Sequence, residues 1–328
     1  MLKYLILFST VFMLLSCGKN TDEATAEAIL TANIALSKGN CQTAIDALEA
    51  NGRVNNNAPY LKTLASAYAC KAGYSTLTFF TSDIAKTVVP APLGGTTLYS
   101  TSSATVTTTL QNDQKFKDLQ KAIDILLYAG GIDSTNTEPT SAERARYFSS
   151  SEAADINSQL LYMVLVQLGR YMYHYGDSSV TGVKASGVRS NTCFTSYVNA
   201  DGDVKTAVAA GTDSCSNILN DTAAHVELAS AVTAATRKTR LCQGVVLLNG
   251  VFAILPDVIT SVIPVAQQAA ALAALNVLNL AKVALIAADA TTATVASTLN
   301  QTVCEDNTQV SVSNIESYFG LMFEGIFQ

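Results

Sequence analysis

Gly39-Asn40-Cys41-Gln42-Thr43-Ala44-Ile45-Asp46-Ala47-Leu48-Glu49-Ala50-Asn51-Gly52 is the stretch that decides the fold. A glycine turn opens it, an Asn-Gly pair closes it, and Ala44, Ile45 and Leu48 fall on one side at helical spacing. Upstream, Thr21-Asp22-Glu23 starts a helix with acidic residues at the positive end of its dipole. That helix runs through Ala26, Ile29, Leu30, Ile34 and Leu36 to the turn Lys38-Gly39-Asn40. Downstream, a third helix passes from Pro59 through Leu61, Leu64, Ala67 and Tyr68 to Gly73. Further on, Gln120-Lys121-Ala122-Ile123-Asp124-Ile125-Leu126 echoes Gln42-Thr43-Ala44-Ile45-Asp46-Ala47-Leu48. Short helices joined by tight turns predict a mostly α protein built as a stack of helical hairpins.

Gly39 and Gly73 stand 34 residues apart, which is the tetratricopeptide period. Ala28, Ala32, Ala35, Gly39 and Ala44 lie where that repeat places small or apolar residues in its first helix, turn and second helix. Leu61, Leu64, Ala65 and Tyr68 fit the next first helix, and Leu165, Gly169 and Tyr171 look like part of another. The N-terminal part therefore resembles a tetratricopeptide-repeat array, and the resemblance implies a concave helical surface for a protein or peptide. A generic helical hairpin array with Ala-rich packing is the alternative.

The N-terminus carries an address. Lys3 precedes an apolar run from Tyr4 to Leu15, and Leu14-Leu15-Ser16-Cys17 ends it, as in a secretory signal. The ending resembles the bacterial lipobox, which implies cleavage before Cys17 and lipid, palmitate included, on that residue. Gly18 stands where Asp would signal inner-membrane retention, so the expected location is the outer membrane, facing either the periplasm or the surface.

The chain carries 20 basic and 26 acidic residues in 328, with no basic block, which argues against nucleic acid as a partner. Seven cysteines occur. With Cys17 assigned to lipid, an even set remains, and sequential disulfides Cys41–Cys70, Cys193–Cys215 and Cys242–Cys304 are expected in an oxidising compartment. No Cys-x-x-Cys occurs and no His lies near a Cys, so no metal is expected there.

Two stretches interrupt the helices. Residues 76–112, rich in Thr and Ser with Pro90, Pro92 and Gly94-Gly95, read as an extended loop or short strands. Within residues 193–215, Phe194 to Val198 and Val204 to Val208 flank Asp201-Gly202, a β-hairpin signal. From Thr222 the chain is helical again. Val245 to Leu255 is apolar, Pro256 and Pro264 break it, and Val265 to Ala288 reads as a central helix apolar on nearly every side. Ser313 with Glu316 reads as a capping box, followed by the stripe Ile315, Tyr318, Phe319, Met322, Phe323 and Ile326.

Chemistry is sparse. The two histidines are His174, in a Tyr171/His174/Tyr175 face that reads as core packing with polar tips at the surface, and His225, read as exposed or capping. His225 and Glu227 lack a second His at helical spacing for a zinc site. No nucleophile elbow, phosphate loop or nucleotide-binding pattern appears. The expectation is no enzyme, no cofactor and no metal.

The sequence thus divides into a signal peptide (1–16), a lipidated tether with tetratricopeptide-like hairpins (17–75), a Thr/Ser-rich insertion (76–112), helical hairpins (113–192), a Cys-bracketed hairpin insertion (193–215) and an apolar helical bundle (216–328). The expected function is a membrane-anchored scaffold for an envelope protein or peptide. Its contact surface is drawn from Tyr68, Tyr171, His174, Tyr175, Tyr318, Phe319 and Phe323. The alternative, by resemblance to transporter-associated tetratricopeptide lipoproteins, is a transport accessory holding a small apolar ligand in a helical cavity.

Overall fold

Two turns of the same build punctuate the first three helices, α1 (Thr21–Ser37), α2 (Cys41–Ala50) and α3 (Ala58–Lys71). After α1, Asn40 N–H donates to Ala35 O and Gly39 N–H to Leu36 O. After α3, Tyr74 N–H donates to Ala69 O and Gly73 N–H to Cys70 O. Both glycines hold positive φ, 73° and 79°, which is the left-handed closure that consumes the last free carbonyls of a helix. The computed structural model describes residues 21–87, 93–178, 183–185, 191–210, 215, 223–262 and 292–327, with isolated positions 276, 280, 282, 283 and 286. The expected signal segment, Cys17 and most of the expected 265–288 helix lie outside the described residues.

The chain continues as α4 (Gln114–Leu127), α5 (Ser150–Tyr175), α6 (Gly202–Ala210), α7 (Ala234–Val262), α8 (Thr292–Ser297), α9 (Gln301–Asp306) and α10 (Val312–Tyr318). Among the described residues there is no β-strand, only an isolated bridge between Cys193 and Ala224. Neighbours in sequence are neighbours in space: α2 packs on α1 and α3, α4 on α3 and α5, and α7 on α5, α8, α9 and α10. The echoed sequences take matching places. Gln42 Nε2 donates to Asp46 at 2.8 Å and Gln120 Nε2 to Asp124 at 2.9 Å. Ala44, Ile45 and Leu48 are buried, as are Ala122, Ile123 and Leu126.

In α1 the buried face is Thr25, Ala28, Ala32 and Ala35, the alanines that the sequence sets at the packing positions, while Leu30 and Ile34 point to solvent. Other expectations change. Among the described residues of 76–112 there is no strand; short helical turns form at Thr76–Thr78, as a π-turn at Phe79–Asp83, and as 3₁₀ turns at Ile84–Thr87, Gly94–Leu98 and Leu110–Asn112, with turns and irregular chain over 99–109. This insert is fastened to α5. Phe79 and Phe80 pack on the Tyr162 ring, Ser102 Oγ donates to Val166 O, and a Cβ on Gly169 would stand 2.3 Å from Thr96 O. Asp83, buried, holds the insert together by accepting from Ser100 N–H, Ser100 Oγ and Lys86.

The expected hairpin between Cys193 and Cys215 is corrected to a helix. Val204 and Val208 lie on α6, and Asp201 accepts from Asp203 N–H at its start, so the Asp-Gly pair begins a helix instead of turning a hairpin. Pro256 lies inside α7 and does not end it. Between Ala234 and Thr260, α7 has the length and hydropathy of a membrane span, yet most of it is buried in protein, so it is the central apolar helix. The exposed Leu280 and Val283 show that the following segment is not apolar-buried on every side.

At the C-terminus the cap is Ser311, which accepts from Asn314 N–H, and not Ser313 with Glu316. Glu316 is instead buried, accepting from Asn199 N–H and Nδ2 and pairing with Arg237 at 3.1 Å. The stripe Ile315, Tyr318, Phe319, Met322, Phe323 and Ile326 is buried throughout, with Phe319 and Phe323 stacked at 4.1 Å. Disulfides join Cys41 to Cys70, Cys193 to Cys215 and Cys242 to Cys304, the sequential pairing expected.

Candidate functional site

The polar face of α4 borders a cleft. It consists of three adjoining hollows of about 210, 230 and 520 Å³, and Asp124 lines all three. Toward α7 the walls are amides: Gln111, Gln120, Gln243 and Gln301, with Glu305 beyond them. The floor there is apolar, from Leu127, Val246 and Leu247. The opposite end opens between Arg53, Asn55, Lys121 and Asp133. Burial raises the Asp124 carboxyl to about 6, against the smaller opposing effects of the Gln120 hydrogen bond, Lys121 and Arg53. A shifted carboxylate in a cleft is a candidate binding group.

A chain of hydrogen bonds leads from this cleft into the core. Gln111 Nε2 donates to Gln243 Oε1 at 3.2 Å and to Tyr175 Oη at 2.8 Å. Tyr175 Oη lies 3.2 Å from Glu227 Oε2, and His174 Nε2 lies 3.0 Å from Glu227 Oε1. The His225 ring packs on both His174 and Tyr175, with centroids 4.8 and 5.0 Å away. Glu227 is held below the usual carboxylate range. Burial alone would raise it, but the His174 hydrogen bond and the charges of His174, His225 and Arg240 outweigh that. Burial drives the Tyr175 hydroxyl well above its ordinary value, with the Glu227 charge adding to it.

The elements explain this convergence. His174 and Tyr175 end α5, a helix started by a capping box in which Ser149 and Glu152 satisfy each other's backbone N–H. His225 and Glu227 sit on a turn pinned on several sides. Thr192 and Cys193 N–H donate to Ala223 O, Thr195 Oγ1 donates to Leu228 O, and Arg240 Nη1 donates to Glu227 O at 2.7 Å.

The expected contact surface is therefore corrected. Tyr171, His174, Tyr175, Tyr318, Phe319 and Phe323 are all buried, because Tyr171 of α5 packs on Tyr175, Phe319 and Phe323 while Gly244 of α7 lets that helix close over Tyr171 and Phe319. Tyr68 is only partly buried and donates to Glu49 at 2.5 Å. His225, expected to be exposed or capping, is buried. The sequence did hold one usable signal, the pair His225-x-Glu227. Its partner His174 lies 53 residues before Glu227, beyond any local spacing rule. Residues that line the cleft, Gln111, Gln120, Asp124 and Gln243, carried no signal beyond the echo of Gln42 and Asp46.

Compared with known proteins, the chain matches no family model, no curated protein and no solved structure.

Proposed function

We propose that this chain is a lipid-anchored envelope scaffold, held at the outer membrane through Cys17, that binds an extended segment of a partner protein in the cleft along α4. No enzymatic step enters this reading. The observation that carries it is a row of side chains, Gln111, Gln120, Asp124 and Gln243, that lines two adjoining hollows, with Asp124 continuing into the third. Amide side chains both donate and accept, so a row of them suits the alternating N–H and C=O of an extended backbone. Asp124 is charged above about pH 6 and favours a lysine, arginine or amide donor at the middle of the bound segment. The repeated Gly39 and Gly73 turns support a tetratricopeptide-like kinship for the stack.

The apolar floor of Leu127, Val246 and Leu247 favours a second reading, a transport accessory for a small apolar ligand. That hollow, about 210 Å³, lies below the usual range for drug-sized ligands, so the segment-binding reading takes precedence. The test is a photo-crosslinking residue at Gln120 in the full chain within native envelopes. A discrete protein adduct that Asp124→Arg abolishes is expected. Equal labelling from Glu23, at the far end of α1, would overturn the reading.

A further inference from the structure

We infer that His174, His225 and Glu227 form a binding site for one divalent transition metal ion of the zinc class. One ligand atom from each of the three side chains falls within 4.8 Å of the other two. A tetrahedral ion with bonds of about 2.0–2.1 Å sets its ligand atoms roughly 3.4 Å apart, so small side-chain rotations close the set. Two imidazoles and one carboxylate make a known zinc donor set, which leaves a fourth position for water or another ligand. Imidazole nitrogen also selects against magnesium and calcium, which prefer oxygen.

Three observations favour an ion over a plain His–Glu pair. First, both imidazoles are buried, and their rings pack against each other beside one carboxylate, with centroids 4.8 Å apart. Second, the carboxylate ligand is held from outside. Tyr175 Oη is within hydrogen-bonding distance of the second Glu227 oxygen, and Arg240 fixes the Glu227 backbone. Such outer contacts hold metal ligands in place and set their affinity. Third, there is a way in. Val226, between the two ligands on the turn, is 75 % exposed, so the turn lies at the surface while its flanking side chains point inward. His225 Nδ1 accepts from Glu227 N–H at 3.3 Å, which seats that ring beside the Glu227 backbone.

A second trio, Cys193, Cys215 and Glu324, has comparable spacing but is not a metal site. Its sulfurs are bonded to each other, and Glu324 is occupied by Lys184, Tyr197 and Phe194 N–H. The inferred site is independent of the cleft reading, although Gln111 and Tyr175 join the two physically.

The test uses the full-length chain, purified in detergent, stripped with chelator and titrated with Zn²⁺ against a competing chelator dye. Co²⁺ serves as a spectroscopic substitute. One ion per chain is expected, with the visible absorption of a tetrahedral Co²⁺ complex. Glu227→Gln keeps the shape of the side chain and its hydrogen bonds to His174 and Tyr175. It is expected to weaken binding by more than the roughly 10–100-fold typical of outer-shell changes. His225→Asn, on the surface turn, is expected to abolish the Co²⁺ spectrum while circular dichroism and the three disulfides stay intact. No stoichiometric binding by the wild-type chain would overturn the inference, as would undiminished binding by a folded Glu227→Gln or His225→Asn variant.

Discussion

Where α1, α2 and α3 meet, small residues bring the helices close: Ala28, Ala32, Ala35, Ala44, Ala65 and Ala69 are buried, alongside Ile45, Leu48, Tyr60, Leu61 and Leu64. Where α5, α7 and α10 meet, the interior holds stacked aromatic rings and charges, including Arg170, His174, Arg237 and Glu316. The first region is stabilised by close approach and apolar burial, which need only small residues at the right positions. The second relies on polar groups whose burial is tolerable only while each partner is present. The first therefore degrades gradually under mutation, and the second fails when one member of a pair is lost.

The largest effect should come from the second region. Glu316→Ala strands the buried Arg237 guanidinium and both donors of Asn199, and is expected to cost about 3–5 kcal/mol. Urea unfolding at neutral pH measures it. A loss below about 1 kcal/mol would mean that this interior tolerates unpaired charge and that the contrast is wrong.

Next comes the seam between the first insert and α5. Gly169→Ala drives a methyl group into the Thr96 carbonyl, for about 2–3 kcal/mol of overpacking strain. Limited proteolysis should then cut residues 76–112 first, with α1–α3 still resistant.

Asp124→Asn acts in the other direction. The folded state raises this carboxyl from 3.8 to about 6, so its favourable neutral form is fully present below about pH 4 and is lost as pH rises through 6. The amide should add about 1–2 kcal/mol at pH 7 and nothing near pH 4, read from paired urea curves. The same gain at both pH values would show that charge is not the cause.

The smallest effects belong to the turns. Gly39→Ala and Gly73→Ala meet no neighbouring atom, so each should cost only the left-handed backbone penalty of about 1 kcal/mol. Thermal unfolding of the two variants should give matching shifts. Unequal shifts would break the equivalence of the turns.

The same contrast governs what could be read in advance. α1 to α3 were legible because glycine closures and helical periodicity act over a few residues, and Cys41 pairs with Cys70 inside that local unit. Within α1 the repeat-like positions Ala28, Ala32 and Ala35 form the seam, while the larger Leu30 and Ile34 face solvent. Glu316 was misread because a carboxylate three residues after a serine serves equally as a cap partner or as a buried acceptor for Asn199 and Arg237. Only the tertiary packing decides between them. The candidate sites were almost wholly illegible. Asp124 differs from Asp46 only by its surroundings, and the histidines meet through a helix end and a distant turn. The Asp201-Gly202 signal failed because Asp201 caps a helix as readily as it turns a hairpin.

The two inserts enter at corresponding places, after α3 and before α4, and after α5 and before α7. The pair α1 and α2 is joined by a short link, Lys38–Asn40, as α8 and α9 are by residues 298–300. Loop closure costs about 0.6 kcal/mol for each doubling of loop length, so long connections are affordable in stability but slow to search. The unit α1 to α3, with Cys41 and Cys70 both inside it, lies wholly before either insert in the chain. The alanine seam can therefore close on contacts near in sequence, whereas the polar half must bring together parts of the chain that long connections hold apart.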